Sequence, residues 1–148
     1  VDFVVGGCGT GQGFLTSVMQ YPGVICGHIV TPLDSWLFAQ INGGNCISLA
    51  LNQAYGWAGD VNVQFILERL FSVEFGSGYP AERKQPQGES RRRLNEISGV
   101  THRSMAQIVS ELPDEIVQPV LNFPGFLDTL ELSSLPDGEL KAAISKRV

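Results

Sequence analysis

Alternating glycines near the start of the chain constrain the fold more than any other feature of the sequence. The stretch GGCGTGQG (6–13) places a glycine at every second position, with Cys8 and Thr10 between them. It follows the apolar run VDFVV (1–5), which is typical of a short strand buried on both faces. The segment FLTSVMQY (14–21) has the pattern of a short helix. The sequence therefore predicts a strand, a nest of backbone N–H groups and a helix N-terminus in direct succession.

Strands and helices alternate along the next part of the chain. The expected elements are strands at 23–30 and 46–50 and helices at 34–41 and 60–71. Residues 76–90 are poor in apolar side chains and predict an exposed connection, after which a helix starts at 91–97. Prolines divide the tail (101–148) into two or three short helices. This alternation indicates an α/β fold with a parallel sheet.

Composition and charge exclude some classes of function. With 148 residues, 43% of them hydrophobic, the chain has the size of one ordinary domain and can bury a core. A formal net charge of -5 argues against nucleic acid as a partner. The apolar runs fall short of the ~20 residues that a membrane span needs, so we expect no membrane contact. The cysteines Cys8, Cys26 and Cys46 form no CxxC pair, which favours free thiols in a reducing cytoplasm, the last two in the core.

The glycine loop has the chemistry of an anion site. A nest at the carboxyl end of a strand binds phosphate or a developing oxyanion. The glycine spacing departs from the dinucleotide fingerprint, and Phe14 and Leu15 stand where a P-loop has its Lys and Ser/Thr. The N–H groups that bind an anion also favour a thiolate, so Cys8 is a candidate base or nucleophile. A small buried cysteine without a chemical role remains the alternative.

The runs VDFVVGGCGTGQG, YPGVICG and INGGNCISLA resemble the ribose-5-phosphate isomerase B family, which includes the galactose-6-phosphate isomerase subunits. The resemblance covers residues 1 to 97. It implies a Rossmann-like three-layer α/β/α sandwich with a parallel sheet, and the aldose–ketose isomerisation of a sugar phosphate through an enediolate, without metal or cofactor. We assign 1–100 to the isomerase domain and 101–148 to a helical C-terminal extension. Because the chain opens on a strand expected to be buried, we expect that an N-terminal part of the sheet is missing from it.

The resemblance also implies site residues. Cys8 matches the thiol base that moves a proton between C1 and C2 of the sugar, and Thr10 matches the hydroxyl of the same loop. The backbone of the loop matches the anion hole for the enediolate oxygen. The set matched to the anion hole and to substrate binding is Gly9, Gly11, Gln12, Gly13, Asn42 and Asn45.

A sugar phosphate also requires cations. Arg83 matches the phosphate-binding arginine of the family, and arginine holds phosphate in a bidentate geometry that lysine cannot form. The run Arg91–Arg93 is a weaker match, since it also fits a solvated helix start. Phosphate arginines of the family reach into a neighbouring subunit. The resemblance therefore implies a homodimer or homotetramer with shared active sites.

Two departures from the family pattern leave the substrate open. Ile41 stands where the family has a histidine for ring opening, and Val24-Ile25 stand where an arginine is frequent. Either another group opens the sugar ring, with His28 as a candidate, or the substrate arrives open. A hydrogen-bonded core histidine is the alternative for His28. The missing histidine also keeps two rival functions open, a non-catalytic sugar-phosphate binding module and a mononucleotide-binding domain.

Overall fold

The computed structural model describes residues 2–53 and 56–148. These residues form two compact units, of which the first runs to His102 and the second is Arg103–Val148. The assignment of an isomerase domain and an extension that meet after residue 100 stays a prediction.

A parallel sheet organises the first unit. Its strands are β1 (Val4–Cys8), β2 (Cys26–Ile29) and β3 (Cys46–Ala50). Among the described residues β3 is the central strand, with β1 on one side and β2 on the other, and all five of its residues are buried. Val4 lies level with Cys46, and Cys8 with Ala50, so all three strands run in the same direction. The predicted α/β fold with a parallel sheet is confirmed.

Helices follow each strand of this sheet. They are α1 (Gln12–Val18), α2 (Pro32–Leu37), α3 (Gly59–Leu70) and α4 (Lys84–Thr101), with a π-helical turn (Phe38–Asn42) after α2 and a 3₁₀ turn (Ala81–Arg83) before α4. A capping box starts α2, because the Thr31 hydroxyl accepts from the Asp34 N–H (3.2 Å) and the Asp34 carboxylate accepts from the Thr31 N–H (2.8 Å).

The sheet separates two helical layers. On one face, apolar side chains of β2 and β3 pack against the end of α2, the π-helical turn and α3, and this core is Ile29, Phe38, Ala39, Ile47, Leu49, Ile66 and Leu70. Successive residues of a strand point to opposite faces, so Ser48 turns to the other side, where its hydroxyl meets the loop that begins α1. The arrangement is the predicted α/β/α sandwich.

The first strand lies three residues later than predicted. The prediction for 1–5 was a doubly buried strand; residue 1 lies outside the described residues, and β1 instead runs into the first glycines. Val4 and Val5 are 43% and 47% exposed, because β1 has a described neighbour on one side alone. Glycines suit this strand since the Phe14 ring and the Leu49 carbonyl occupy the space of a Cβ at Gly6 and Gly7.

The connection between α3 and α4 is more ordered than predicted. Residues 76–90 were expected to be an exposed connection, and this is wrong from Ala81 onward, where a 3₁₀ turn leads into α4. None of the residues of α4 is buried, so its pattern lacks the apolar stripe that sequence analysis detects. Pro86 is tolerated because the N–H groups of a first helical turn need no intrahelical partner.

The same connection closes the π-helical turn. The carbonyls at a helix end have no partner within the helix. Here the Gly76 N–H donates to the Ala39 carbonyl (2.8 Å) and the Gly78 N–H donates to the Gln40 carbonyl (2.9 Å). The connection therefore satisfies the open end of the α2 segment.

The second unit is helical. Its helices are α5 (Met105–Glu111), α6 (Asp114–Leu121), α7 (Phe126–Leu130) and α8 (Glu139–Ser145), with a 3₁₀ turn at Leu132–Ser134. Val117, Leu121 and Ile144 form its buried centre. The described tail thus has four α-helices, where the sequence predicts two or three. Within the described residues, no helix is both long enough and apolar enough to cross a membrane.

Candidate active site

The glycine loop carries Cys8 from the sheet to the start of a helix. Cys8 is the last residue of β1, and α1 begins four residues later at Gln12. Gly11 makes the turn with φ +76, a left-handed conformation that side chains other than glycine rarely adopt. Its N–H donates to the carbonyl of Cys8 (3.1 Å), which closes the turn. The predicted strand, loop and helix N-terminus therefore occur in that order.

Backbone N–H groups of this loop point at the thiol. The N–H of Phe14 is the largest cause that lowers the pKa of Cys8; burial opposes it, and the N–H groups of Gly13, Thr10 and Gly11 lower it further. Gly13 lies beside the sulfur, since a Cβ on Gly13 would be 3.5 Å from the Cys8 Sγ. The half-buried thiol thus ionises more readily than an ordinary cysteine, as a proton-abstracting base requires.

Two polar side chains of the sheet donate hydrogen bonds to backbone carbonyls of the loop. His28 Nε2 donates to the Thr10 carbonyl (2.9 Å), and Ser48 Oγ donates to the Gly11 carbonyl (2.5 Å). His28 Nδ1 is then the acceptor for the Gln12 side-chain amide (3.4 Å). The candidate ring-opening histidine therefore lies under the loop, as a hydrogen-bonded histidine of the sheet. Ser48 was not among the predicted site residues, although a single hydroxyl within the apolar run CISLA (46–50) is a feature that the sequence shows.

The predicted loop residues lie together around the thiol. Thr10 is exposed, and its hydroxyl accepts from the N–H of Gln12 (3.4 Å) at the helix start. The Gly9 carbonyl accepts from the N–H of Asn52 (2.8 Å), the second residue after β3. Asn52 thereby joins the site, a contact that no motif in the sequence indicates. A Cβ on Gly9 would be 2.9 Å from the Asn52 side-chain amide, so this position has little space for a larger residue.

Asn42 and Asn45 lie at the opposite edge of the same sheet. Both asparagines precede the first residue of β3, Cys46, whereas Cys8 lies level with its last residue, Ala50. Those two residues of β3 are about 13 Å apart along the strand, at ~3.3 Å per residue. The Asn45 amide is bonded to the backbone on both sides of the turn before β2: it accepts from the Ile25 N–H (2.9 Å) and donates to the Gly23 carbonyl (2.9 Å). One chain therefore does not bring the predicted asparagines to the thiol.

One of the predicted arginines, Arg91, also lies at that edge. Arg91 donates through Nη1 to the Ile41 carbonyl (2.7 Å) and through Nη2 to the Gly76 carbonyl (2.9 Å), so its guanidinium braces the backbone. Arg92 forms an exposed pair with Glu96 (3.6 Å). Arg83 is exposed in the 3₁₀ turn, and its side chain has no hydrogen bond or ion pair to the described residues. Arg93 is likewise exposed and has no such bond to the described residues, so Arg83 and Arg93 are the predicted phosphate ligands that stay available.

The other two thiols differ sharply from Cys8. Cys26 and Cys46 are level on neighbouring strands. Burial, together with the adjoining Cys46 thiol, raises the pKa of Cys26 to about 12. Cys46 is buried. Within residues 2–53 and 56–148, no three His, Cys, Asp or Glu side chains are close enough together to hold a metal ion.

Comparison with known proteins places this arrangement among the sugar isomerases. A 4-deoxy-L-threo-5-hexosulose-uronate ketol-isomerase, solved in complex with a tartrate, is 32% identical over 99% of this chain and 68% of its own, with a TM-score of 0.93. A ribose-5-phosphate isomerase, LacAB_rpiB, from Vibrio parahaemolyticus is 37% identical over 100% of this chain and 69% of its own, with a TM-score of 0.92. The fold and the loop thus define an α/β isomerase of sugars.

The chain belongs to the ribose-5-phosphate isomerase B family, which confirms the resemblance seen in its motifs. A ribose 5-phosphate isomerase from Thermotoga maritima, 22% identical over 65% of this chain and 59% of its own with a TM-score of 0.53, shares the fold. No protein-family model matches the sequence, and neither does any curated protein.

Proposed function

We propose that this protein is an aldose–ketose isomerase of a sugar phosphate, of the ribose 5-phosphate/ribulose 5-phosphate type. The observation that carries the proposal is the thiol of Cys8 in a loop whose N–H groups converge on it. Base and anion hole are thereby adjacent, which is what the removal of a weakly acidic proton next to a carbonyl requires. The similarity to a protein named a ribose-5-phosphate isomerase supports this substrate class.

The proposed mechanism moves one proton between two carbons. The Cys8 thiolate removes the C2 proton of the open aldose, the C–H electrons form the C1–C2 double bond, and the carbonyl electrons move onto O1. The loop N–H groups stabilise this enediolate. A proton then passes from O2 to O1, next to the Thr10 hydroxyl. The Cys8 thiol returns its proton to C1 as the C2 carbonyl forms, so the base is regenerated.

Substrate binding in this proposal involves two copies of the chain. Asn42 is exposed at the sheet edge opposite Cys8, so it can complete a site only in another copy. Arg83, exposed and unoccupied by described side chains, is the proposed phosphate ligand. We therefore propose a homodimer or homotetramer with shared sites, and a reducing cytoplasm as the compartment in which the thiolate persists.

Ring opening follows a different route from the family pattern in this proposal. Ile41 replaces the expected histidine. His28 is bonded on both ring nitrogens beneath the loop, to the Thr10 carbonyl and the Gln12 amide, so it has no free nitrogen to offer a sugar. We infer that the substrate enters as its open-chain form.

A uronate is the second candidate substrate. The observation that favours it is the 32% identity to a uronate ketol-isomerase, over nearly the whole of this chain. The isomerisation chemistry would be unchanged, because a thiolate base and an anion hole act on the carbonyl end alone. The difference lies at the other end of the sugar, where Arg83 would face a carboxylate in place of a phosphate.

Proton exchange in D₂O tests the function. Wild-type protein and the Cys8→Ala variant are offered pentose phosphates, hexose phosphates and the keto-uronate, and NMR follows deuterium entry next to the carbonyl. Cys26→Ala, which removes a thiol at the other sheet edge, is the matched control. We expect exchange with one substrate class, lost in Cys8→Ala and kept in Cys26→Ala.

Other results would overturn parts of this proposal. Exchange that persists in Cys8→Ala keeps the isomerase and removes Cys8 as the base. Binding of sugar phosphates without exchange indicates a non-catalytic binding module. Binding of nucleotides alone indicates a mononucleotide-binding domain.

A further inference from the structure

A polar pair lies under the glycine loop, in a sheet whose other face is apolar. His28 and Ser48 are register partners on β2 and β3. Ser48 is fully buried in the strand with the most complete burial of the sheet. A buried polar group costs stability unless it is hydrogen-bonded. Each of these two side chains bonds a backbone carbonyl of the loop, and the two carbonyls are consecutive, those of Thr10 and Gly11.

These bonds fix two peptide units next to the thiol. The carbonyl and the N–H of one peptide unit point in opposite directions, because the unit is planar and trans. With the Thr10 carbonyl held down on His28, the Gly11 N–H points toward Cys8, where it closes the turn on the Cys8 carbonyl at 3.1 Å. With the Gly11 carbonyl held on Ser48, the following N–H at Gln12 points away from the sheet, toward the Thr10 hydroxyl.

Steric fit reinforces the same arrangement. A Cβ on Gly11 would be 2.6 Å from the His28 ring, so the imidazole packs directly against the turn. The ring is in turn held by the Gln12 amide. The loop thus has a rigid base made of side chains from two strands, whereas glycine-rich segments by themselves have many accessible conformations.

We propose that His28 is a positioning residue, assisted by Ser48, which fixes the turn at Thr10 and Gly11 and so holds the glycine loop in one conformation beside the Cys8 thiol. The proposal rests on the proposed function in so far as Cys8 is the base of the reaction. Neither side chain touches the reacting atoms. Their contribution is to keep the N–H groups in place while the thiol gains and loses its proton, so that the loop does not reorganise during turnover.

The reactivity of the Cys8 thiol tests this without any substrate. The full chain is alkylated with iodoacetamide over a pH series, and peptide mass spectrometry quantifies the modification of each cysteine. In His28→Leu, which keeps the volume and removes both ring nitrogens, we expect the Cys8 pKa to rise by about half a unit to one unit. The thiolate fraction at pH 7 falls about threefold to tenfold, and the modification rate falls about twofold to threefold, because a more basic thiolate is also more nucleophilic.

Conservative and matched variants separate positioning from stability. His28→Gln keeps an amide donor at the position of Nε2, and we expect it to restore the wild-type Cys8 titration. Ser48→Ala is expected to shift the titration in the same direction as His28→Leu. Ser35→Ala is the control: Ser35 is equally buried, and its hydroxyl bonds the Pro32 and Ile66 carbonyls on the other face of the sheet. It should lower stability and leave Cys8 unchanged.

Each outcome decides for or against the role. A folded His28→Leu variant with an unchanged Cys8 titration overturns the proposal, and so does a Ser35→Ala variant that shifts Cys8 as far as Ser48→Ala does. If His28→Leu does not fold, Ser48→Ala decides, because it removes a single hydroxyl. Absence of isomerase activity in the wild-type protein would refute the proposed function while these titrations still measure the positioning of the loop.

Discussion

Cysteines lie at both ends of the strands of the sheet, and the pKa values of Cys8 and Cys26 are shifted in opposite directions. At the carboxyl edge, β1 ends in Cys8 and passes into a helix N-terminus, and the surrounding N–H groups lower the pKa of the thiol. At the amino edge, β2 and β3 begin with Cys26 and Cys46, and burial raises the pKa of Cys26 to about 12. Strand direction explains the difference, because free N–H groups collect where parallel strands run into helices.

The polar side chains repeat this contrast. Those near the carboxyl edge, His28 and Ser48, hold carbonyls down and leave N–H groups facing outward. Those at the amino edge, Asn45 and Arg91, are occupied by the backbone they brace. A residue type that can bind a ligand is thus an indication of a site only where its polar atoms are not already bonded to the chain.

Thiol reactivity should differ most between the two edges. Cys26 with a pKa of about 12 lies at least 3 units above Cys8, whose pKa falls below the ordinary 9.0, so its thiolate fraction at pH 7 is at least about 1000-fold smaller. The greater nucleophilicity of a more basic thiolate offsets part of this, which leaves a ratio of at least about thirtyfold. Site-resolved alkylation of the wild-type protein at pH 7 measures it. Equal rates at the two cysteines would abolish the contrast.

The turn at the carboxyl edge should tolerate a methyl group poorly. Gly11→Ala combines a left-handed backbone with a Cβ 2.6 Å from the His28 ring, and we expect it to lower the free energy of unfolding by about 2–4 kcal/mol. Gly23→Ala is the control, since Gly23 has the same sign of φ and open space around it; it should cost about 1–2 kcal/mol. Urea denaturation followed by circular dichroism compares them. Similar costs for both would show that packing on His28 contributes nothing.

The brace at the amino edge should matter for stability. Arg91→Ala leaves the Ile41 and Gly76 carbonyls without their charged donor, and we expect a loss of about 2–3 kcal/mol in the free energy of unfolding. Arg92→Ala removes an exposed pair and should change it by less than about 0.5 kcal/mol. Thermal denaturation of the two variants side by side measures the difference. If Arg91→Ala is as stable as Arg92→Ala, the Arg91 bonds do not stabilise the fold, and Arg91 becomes a candidate phosphate ligand again.

Asn45 should show the smallest of these effects. Asn45→Ala removes two hydrogen bonds to the backbone of the turn before β2, and we expect a loss of about 1–2 kcal/mol. Activity per folded molecule should stay close to wild type. If Asn45→Ala is as stable as the wild type but binds substrate less tightly, Asn45 is a substrate ligand. Polar side chains at both edges of the sheet would then bind substrate.

The sequence was sufficient for the strand–loop–helix order around Cys8, because glycine spacing and an apolar run are local features. It was sufficient for the parallel sheet as well. It also argued against placing Asn42 and Asn45 beside Cys8. Both asparagines precede a predicted strand, whereas Cys8 follows one, and parallel strands place such residues at opposite edges of the sheet. The resemblance to the family assigned Cys8, Asn42 and Asn45 to one site, but the direction of the strands keeps the asparagines away from Cys8 within one chain.

Other features depend on contacts that no local pattern encodes. Ser48 and His28 meet the loop only because β3 lies between β1 and β2, and strand order is a property of the whole sheet. Arg91 reaches Ile41 across fifty residues, and its charge indicated a solvated helix start. The helix α4 went undetected before residue 91 because it buries none of its side chains and therefore has no apolar period.

The backbone bonds from Gly76 and Gly78 to the π-helical turn have a consequence for how the first unit opens. These two amides sit in a connection that is poor in apolar residues, yet their acceptors, the Ala39 and Gln40 carbonyls, belong to buried residues that adjoin the sheet core. Their hydrogens exchange with solvent only when these bonds break, so we expect both amides to be protected. We therefore expect the connection to open less readily, and to be cut more slowly by a protease, than its polar composition suggests.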